Sequence, residues 1–347
     1  LWTFGIDWFQ VVLFLFFFTA TGLSITLGYH RLFAHLSFQA KWPVRLLTLI
    51  FGAAAFENTA IEWTSDHRKH HKHTDHDDDP YDISKGFWHA HIGWILFKLN
   101  AEPPIDNVKD LERDALVRWQ HRNYVWVAIL VSFVLPTLLG YWWNGATGAL
   151  GAFLIAGVLR VTAVQHMTFF INSLCHTVGK QPYSTRCSAR DSWIMALFTF
   201  GEGYHNYHHE FQHDYRNGVK WWQWDPTKWT IWTLEKLGLV WNLRRVPEDR
   251  ILLAEVAETR KQLESRLSCQ KRELPARIRE MLTASNQRLQ ELSERWAQFK
   301  AEYAELRADY GNRADERIVA AKRALPEIRE ELRKAIELLD KADAVPA

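Results

Sequence analysis

Three long apolar runs constrain what this chain can become. They are residues 6–27 (IDWFQVVLFLFFFTATGLSITL), 124–143 (YVWVAILVSFVLPTLLGYWW) and 147–171 (TGALGAFLIAGVLRVTAVQHMTFFI). Each has about the 20 residues a helix needs to cross a bilayer. They predict an all-α, integral membrane helical bundle. A fourth apolar stretch, 43–62, is ambiguous by composition alone. Arg160 and His166 interrupt the third run, so its inner end should face protein or a polar cavity. The connector NGAT carries no charge, whereas 64–122 and 176–250 are rich in Lys and Arg. By the positive-inside tendency, those two segments are cytoplasmic and the connector is outside. The mildly negative mean hydropathy of −0.25 averages this part with a charged tail that begins near residue 250.

The second constraint is histidine. There are 16, and nine fall in four groups: His30 and His35; His67, His70 and His71; His176; and His205, His208 and His209. Each group lies just past the cytoplasmic end of an apolar segment. His67, His70 and His71 are spaced i, i+3, i+4 and so share a helical face, as do His205, His208 and His209. Neutral imidazole ligates transition metals well, and no group contains a thiolate. Nine imidazoles exceed what one ion can hold and suit two ions with four or five nitrogens each. The bland alternative, basic decoration, explains one such group more easily than four on the same membrane side. His73, His76, His89, His91, His121, His166 and His213 lack the pattern and are read as non-ligands. The run Asp77, Asp78, Asp79 is read as a solvated turn. Asp66 and Glu202 are candidates to orient the ligands through their second ring nitrogen.

HRLFAH, HRKHH and GEGYHNYHHEF resemble the three histidine boxes of the membrane fatty acid desaturases, most closely the stearoyl-CoA and acyl-CoA delta-9 group of bacterial type. EWTSDHRKHHKHTDHDDDPYD, GFWHAHIGW and NSLCHTVGKQPY extend the likeness over about residues 10–245. The resemblance implies two iron ions, with oxygen as cosubstrate and two electrons, removing two hydrogens from an acyl chain. It carries the ligand role to the nine histidines above and implies that Asn172 contacts one iron through water. It also implies an apolar substrate channel with Phe56, Glu57, Asn58, Trp63, Thr168 and Phe169 among its contacts. Unactivated C–H bonds require a redox metal, and zinc has no redox chemistry. A related di-iron hydroxylase or a non-catalytic metal-binding membrane protein would share part of this pattern. Product analysis separates the first, and iron content with oxygen consumption the second.

Departures from that pattern concern the head group. The position before Asp66 is Ser65 rather than a basic residue, and GWILFKLN offers only Lys98, with Arg186 and Arg190 as substitutes. Acyl-CoA is expected, with acyl carrier protein or a lipid-linked acyl chain as alternatives. No HPGG haem motif occurs, so a separate electron donor is expected, such as ferredoxin, rubredoxin or cytochrome b5 with its reductase. The bacterial inner membrane, with the active site on the cytoplasmic face, is the expected location. Only about 30 residues separate His35 from His67, too few for two crossings, so 43–62 should dip into the membrane or lie along it without crossing. That leaves three crossings and places Leu1 outside; relative to the family, a first crossing is expected to be missing.

Lys plus Arg number 42 and Asp plus Glu 40, and no nucleic-acid partner is expected. Three cysteines without a CxxC pair point away from a disulfide framework. The chain is expected to divide into a catalytic domain, 1–248, and a charged extension, 249–347. In the extension, Leu289, Leu292, Trp296, Phe299, Tyr303, Leu306 and Tyr310 recur in threes and fours, the seam of a helical hairpin or coiled coil.

Overall fold

A bilayer core offers no water to the peptide backbone, so apolar runs of this length are confined to helix. The computed structural model describes residues 7–97 and 105–269, with isolated positions further on. Its contacts form two compact units, Leu1–Gln181 with Arg186–Arg245, and Pro182–Thr185 with Val246–Ala347.

In the first unit, Asp7 caps the first helix by accepting from Gln10 N at 3.0 Å. The helix runs Trp8–Leu23 and continues in wider turns over Ser24–Ala34, 27 residues in all. At 1.5 Å per residue this is about 40 Å, more than the roughly 30 Å of a hydrocarbon core. Its His30 end therefore projects beyond that core. Trp8, Val11, Val12, Leu15 and Phe16 are exposed along it, a face suited to lipid.

The other long apolar helix, Ala115–His176, is broken at Asn144 and at Gly145, whose φ of 54° an L side chain would resist. The break begins the NGAT connector, so this stretch is two antiparallel spans. Trp8 and Phe9 pack on Trp143 with ring centroids 4.8 and 4.7 Å apart. The start of the first span and the connector thus share one end of the bundle, and His30 and His176 lie toward the other.

The 43–62 stretch is where the fold departs from simple spanning. Trp42–Ala53 is a helix of 12 residues, about 18 Å long and too short to cross. Its end reaches deep: Ala54 clusters with Leu13, Phe17, Val131, Ala152 and Ala156. The chain then turns, with Phe56 and Asn58 at φ of 58° and 71°, and returns through the helix Ala60–His73. Irregular backbone at this depth is tolerated only where protein satisfies it. Here Arg160 Nη1 and Ser132 Oγ donate to Ala54 O at 2.6 and 3.1 Å, and Gln165 Nε2 donates to Phe56 O at 3.1 Å. Asn58 N donates to Tyr124 Oη, and Ala60 N to Gln120 Oε1. Arg160, conspicuous in an apolar run, is buried and serves this turn.

Gln39–Ala40 pairs antiparallel with Val240–Trp241, fastening the chain just after the first histidine group to the chain that follows the last one. In the second unit the helix Glu248–Cys269 is described, and Lys261 Nζ donates to Thr185 Oγ1 at 2.7 Å. The expected heptad seam, Leu289 to Tyr310, lies outside the described residues.

Candidate metal centre

The nine histidines converge as two groups. His30, His35, His67, His71 and His208 form one; His70, His176, His205 and His209 form the other, and within each group the ligand atoms lie within 4.8 Å of one another. The local folding explains the partition. On an α-helix, residues five apart differ by about 140° in direction, so His30 and His35 would diverge. The wider turns over Ser24–Ala34, with His35 N donating to His30 O at 3.0 Å, bring their rings to 4.7 Å. On Ala60–His73, whose start is fixed by a reciprocal Thr59–Glu62 capping box, His67 and His71 serve one group and His70 the other. On the short helix His205–Glu210, His208 serves the first group, and His205 and His209 the second.

The contacts within each group run through Nε2. His30 and His208 are 3.0 Å apart, His35 and His67 2.8 Å, and His208 and His71 2.9 Å. In the second group His176 and His205 are 3.0 Å apart, His209 and His205 3.1 Å, and His70 and His209 3.3 Å. Two nitrogens at right angles, each about 2.1 Å from a shared ion, would be about 3.0 Å apart. Two outer Nδ1 atoms meet protein acceptors: His70 Nδ1 is 2.9 Å from Asp79 Oδ1, and His176 Nδ1 is 2.7 Å from Ser188 Oγ, whereas those of His205 and His208 are buried without one. A proton held on Nδ1 leaves a lone pair on Nε2, and lone pairs this close repel unless a cation lies among them. The donor set therefore fits two transition-metal ions. Burial first, and then the neighbouring imidazoles, hold His67, His71, His205, His208 and His209 well below the ordinary imidazole range, in the neutral form that ligates.

Glu202 lies in the tight turn GEG. Gly201 has φ of 101°, and a Cβ on Gly203 would lie 2.1 Å from Ala196 N. The turn aims the buried carboxylate at His30 Nδ1, 2.9 Å away, an ion-pair approach whose alignment is not that of a hydrogen bond. Arg31, buried beside it, donates to Glu202 Oε1, to both Asp225 oxygens and to Tyr215 O at 2.7–3.2 Å. Asn217 Nδ2 donates to Glu202 Oε2 at 2.6 Å. Burial works to raise the Glu202 carboxyl, but its approach to His30 and Arg31 outweighs burial and holds it below the usual range.

Asp79 corrects the expectation of a solvated turn. Asp77 and Asp78 are exposed, but Asp79 is 3% exposed and also accepts from Tyr81 N and Asp75 N. Its carboxyl is lowered by His70 and by these amides against the opposing effect of burial. Asp75 accepts from Ser188 N and Oγ, so it supports His176 through Ser188. Asp75, Arg31, Ser188 and Asp225 carry no motif of their own. Only the near-invariable need of a ligating imidazole for an outer acceptor could have pointed to them. Asp66 sits half-buried on the Ala60–His73 helix, one position before His67.

A cleft opens from both groups into apolar surroundings. His30, His67 and His205 line its polar end with Asn172 and Glu202, and Ile25, Val164, Met167, Ile171 and Phe200 line the rest. Of the expected substrate contacts, Trp63 and Thr168 line it. Glu57 stands behind them, accepting from Thr168 Oγ1 at 2.8 Å and Trp63 Nε1 at 3.3 Å. Phe56 packs on Phe133, and Phe169 on His91 and Trp94, while Asn58 belongs to the deep turn. Arg186 is paired with Glu210, and Arg190 Nη1 donates to Gly179 O at 3.4 Å. Lys98 lies outside the described residues. Among the non-ligands, His91 Nε2 is 3.1 Å from His166 Nδ1, and His213 bonds the backbone of His35.

A helical body with deep apolar spans and two buried polyhistidine groups at one end defines a membrane-type protein whose histidines are placed to hold two metal ions. The fatty acid desaturase family model matches residues 6–244, and the chain belongs to that family. It is 44% identical over 250 residues to acyl-CoA desaturase 1 of Saccharomyces cerevisiae, covering 72% of this chain and 48% of the yeast protein. It is 35% identical to human stearoyl-CoA desaturase over 68% of this chain and 67% of the human one. It is 37% identical to the sn-1 stearoyl-lipid 9-desaturase of Synechocystis over 68% and 71% of the two chains. The chain thus spans about half the length of the yeast relative it matches.

Proposed function

We propose that this protein is an oxygen-dependent di-iron fatty acyl desaturase that introduces a cis double bond at the delta-9 position. The observation that carries this reading is the cleft, which joins apolar walls to imidazoles of both metal groups. Overall, a –CH2–CH2– unit, O2, two electrons and two protons become –CH=CH– and two waters. Two irons, when bound, would supply the oxidising power that C–H cleavage requires.

The chain's own residues do the rest. His30, His35, His67, His71 and His208 would hold one ion. His70, His176, His205 and His209 would hold the other, and Asn172 would reach one of the two through water. Asp79, and Ser188 with Asp75, fix the outer nitrogens of His70 and His176, and Glu202 faces that of His30, so the rings need not reorganise. Ile25, Val164, Met167 and Ile171 exclude water from the acyl chain where it passes Trp63 and Thr168. Glu57 positions both of those side chains.

Acyl-CoA is the proposed substrate, in line with the 44% identity to an enzyme of that name, and a separate redox protein delivers the electrons on the cytoplasmic face. The test is fatty acid analysis of a desaturase-deficient host producing the full-length protein, followed by assay of purified protein with acyl-CoA against phospholipid. A cis-9 monoenoic product made from acyl-CoA supports the reading. A hydroxylated product, or conversion of phospholipid alone, overturns the reaction or the head group respectively.

A further inference from the structure

Lys228 is buried, and its ammonium donates to Gly218 O, Lys220 O and Gln223 O at 2.6, 2.9 and 3.3 Å. The three carbonyls close a rigid loop. That loop presents Trp221 and Trp222, which are 85% and 60% exposed. The following helix, Pro226–Lys236, buries Thr227 and Ile231 and turns Trp229, Trp232 and Lys236 outward. Lys220 Nζ lies 5.5 Å from the centre of the Trp222 ring, and Lys236 Nζ lies 5.6 Å from that of Trp232. The two acids of this stretch are withdrawn: Asp225 is buried and Glu235 half-buried.

The level of this surface follows from Thr227, whose hydroxyl is 2.7 Å from that of Thr26 on the first span. From Trp8 to Thr26 the helix rises about 27 Å, against about 30 Å of hydrocarbon core. The aromatic surface therefore starts at the level of the inner boundary of the bilayer. Tryptophan beside lysine is the combination this boundary favours, with rings among the headgroups and ammoniums toward phosphate.

We propose that residues 220–237 form an interfacial anchor that binds anionic phospholipid headgroups through Lys220 and Lys236, with the tryptophans seated beside them. An acidic redox protein is the competing occupant of a basic, aromatic surface, and attachment to the end of a span favours lipid.

The test uses the full chain in nanodiscs of phosphatidylcholine with and without phosphatidylglycerol. The thermal midpoint should rise with the anionic lipid, and the rise should be lost in K220Q/K236Q and kept in K109Q. The fluorescence removed by W221F/W222F should be quenched by headgroup-proximal brominated lipid. A full rise in K220Q/K236Q, or Trp221 and Trp222 emission quenched by aqueous iodide and not by brominated lipid, overturns the proposal. So does a double variant whose lipid response is intact but whose reduction by an acidic donor protein is slowed, since the surface would then dock protein.

Discussion

Asp79 shows at the scale of one residue how a metal site is held. It looks like the last member of an acidic turn, yet it is buried and grips the outer nitrogen of His70. Asp79→Asn keeps the shape and removes the charge. Loss of such an outer partner typically weakens metal binding or activity by about 10–100-fold. Iron per chain and desaturation rate should both fall in D79N, while in D78N, at an exposed neighbour, both should stay at the parent level. Glu202→Gln should behave differently, because it leaves Arg31 facing one carboxylate instead of two. Breaking a buried pair costs about 3–5 kcal/mol, so the E202Q variant should lose folded yield before it loses affinity. A folded E202Q protein with parental stability would contradict the role assigned to this network. The nine clustered histidines were legible in the sequence because their spacing is helical and their number exceeds any incidental use. Of their neighbours Glu202 was legible beside its histidine group, whereas Asp75, Asp79, Ser188 and Asp225 were not, because they reach the site only through turns of the fold.

Among the elements, the deep turn between Ala53 and Ala60 is the one that pattern could only bound. Chain length ruled out two crossings between His35 and His67, and the 12-residue helix Trp42–Ala53 bears that out. Which side chains would satisfy the turn was hidden, since Arg160, Ser132 and Gln165 lie 78 to 109 positions away. Arg160→Leu removes a charged donor from a buried carbonyl, a loss of about 1.5–3 kcal/mol. At this chain size that corresponds to a midpoint lower by about 2–4 °C. Arg160→Lys should recover part of it. An unchanged midpoint in R160L would show that the turn does not depend on this contact. The wide turns over Ser24–Ala34 were equally invisible, because an apolar run reads as plain helix and only the five-residue offset of His30 and His35 hints otherwise.

For the molecule as a whole, the bundle, the single-ended placement of histidines and the break at Asn144–Gly145 were all readable from hydropathy and spacing. The seam beyond residue 280 lies outside the described residues. The clustered imidazoles also set a pH dependence. In the unfolded chain they take up protons below about pH 6.5, whereas in the fold burial keeps them neutral to lower pH. The unfolded state then binds more protons, so stability falls as pH drops below that value and is unaffected by these groups above it. Protons also compete with metal for the same nitrogens. Iron content and thermal midpoint measured between pH 7.5 and 5 (roughly one unit above to one and a half below the free imidazole value) should fall together. A flat profile would contradict neutral, ligating histidines. The central claim is that the two groups hold two irons that act on a lipid chain. Its most direct test is gas chromatography–mass spectrometry of the fatty acids of a desaturase-deficient host producing the protein, its H70A variant or its H208A variant. The account predicts cis-9 monoenes from the parent and none from either variant. Monoenes at the parental level from either variant, or none from a parent that carries both irons and receives electrons, would contradict it.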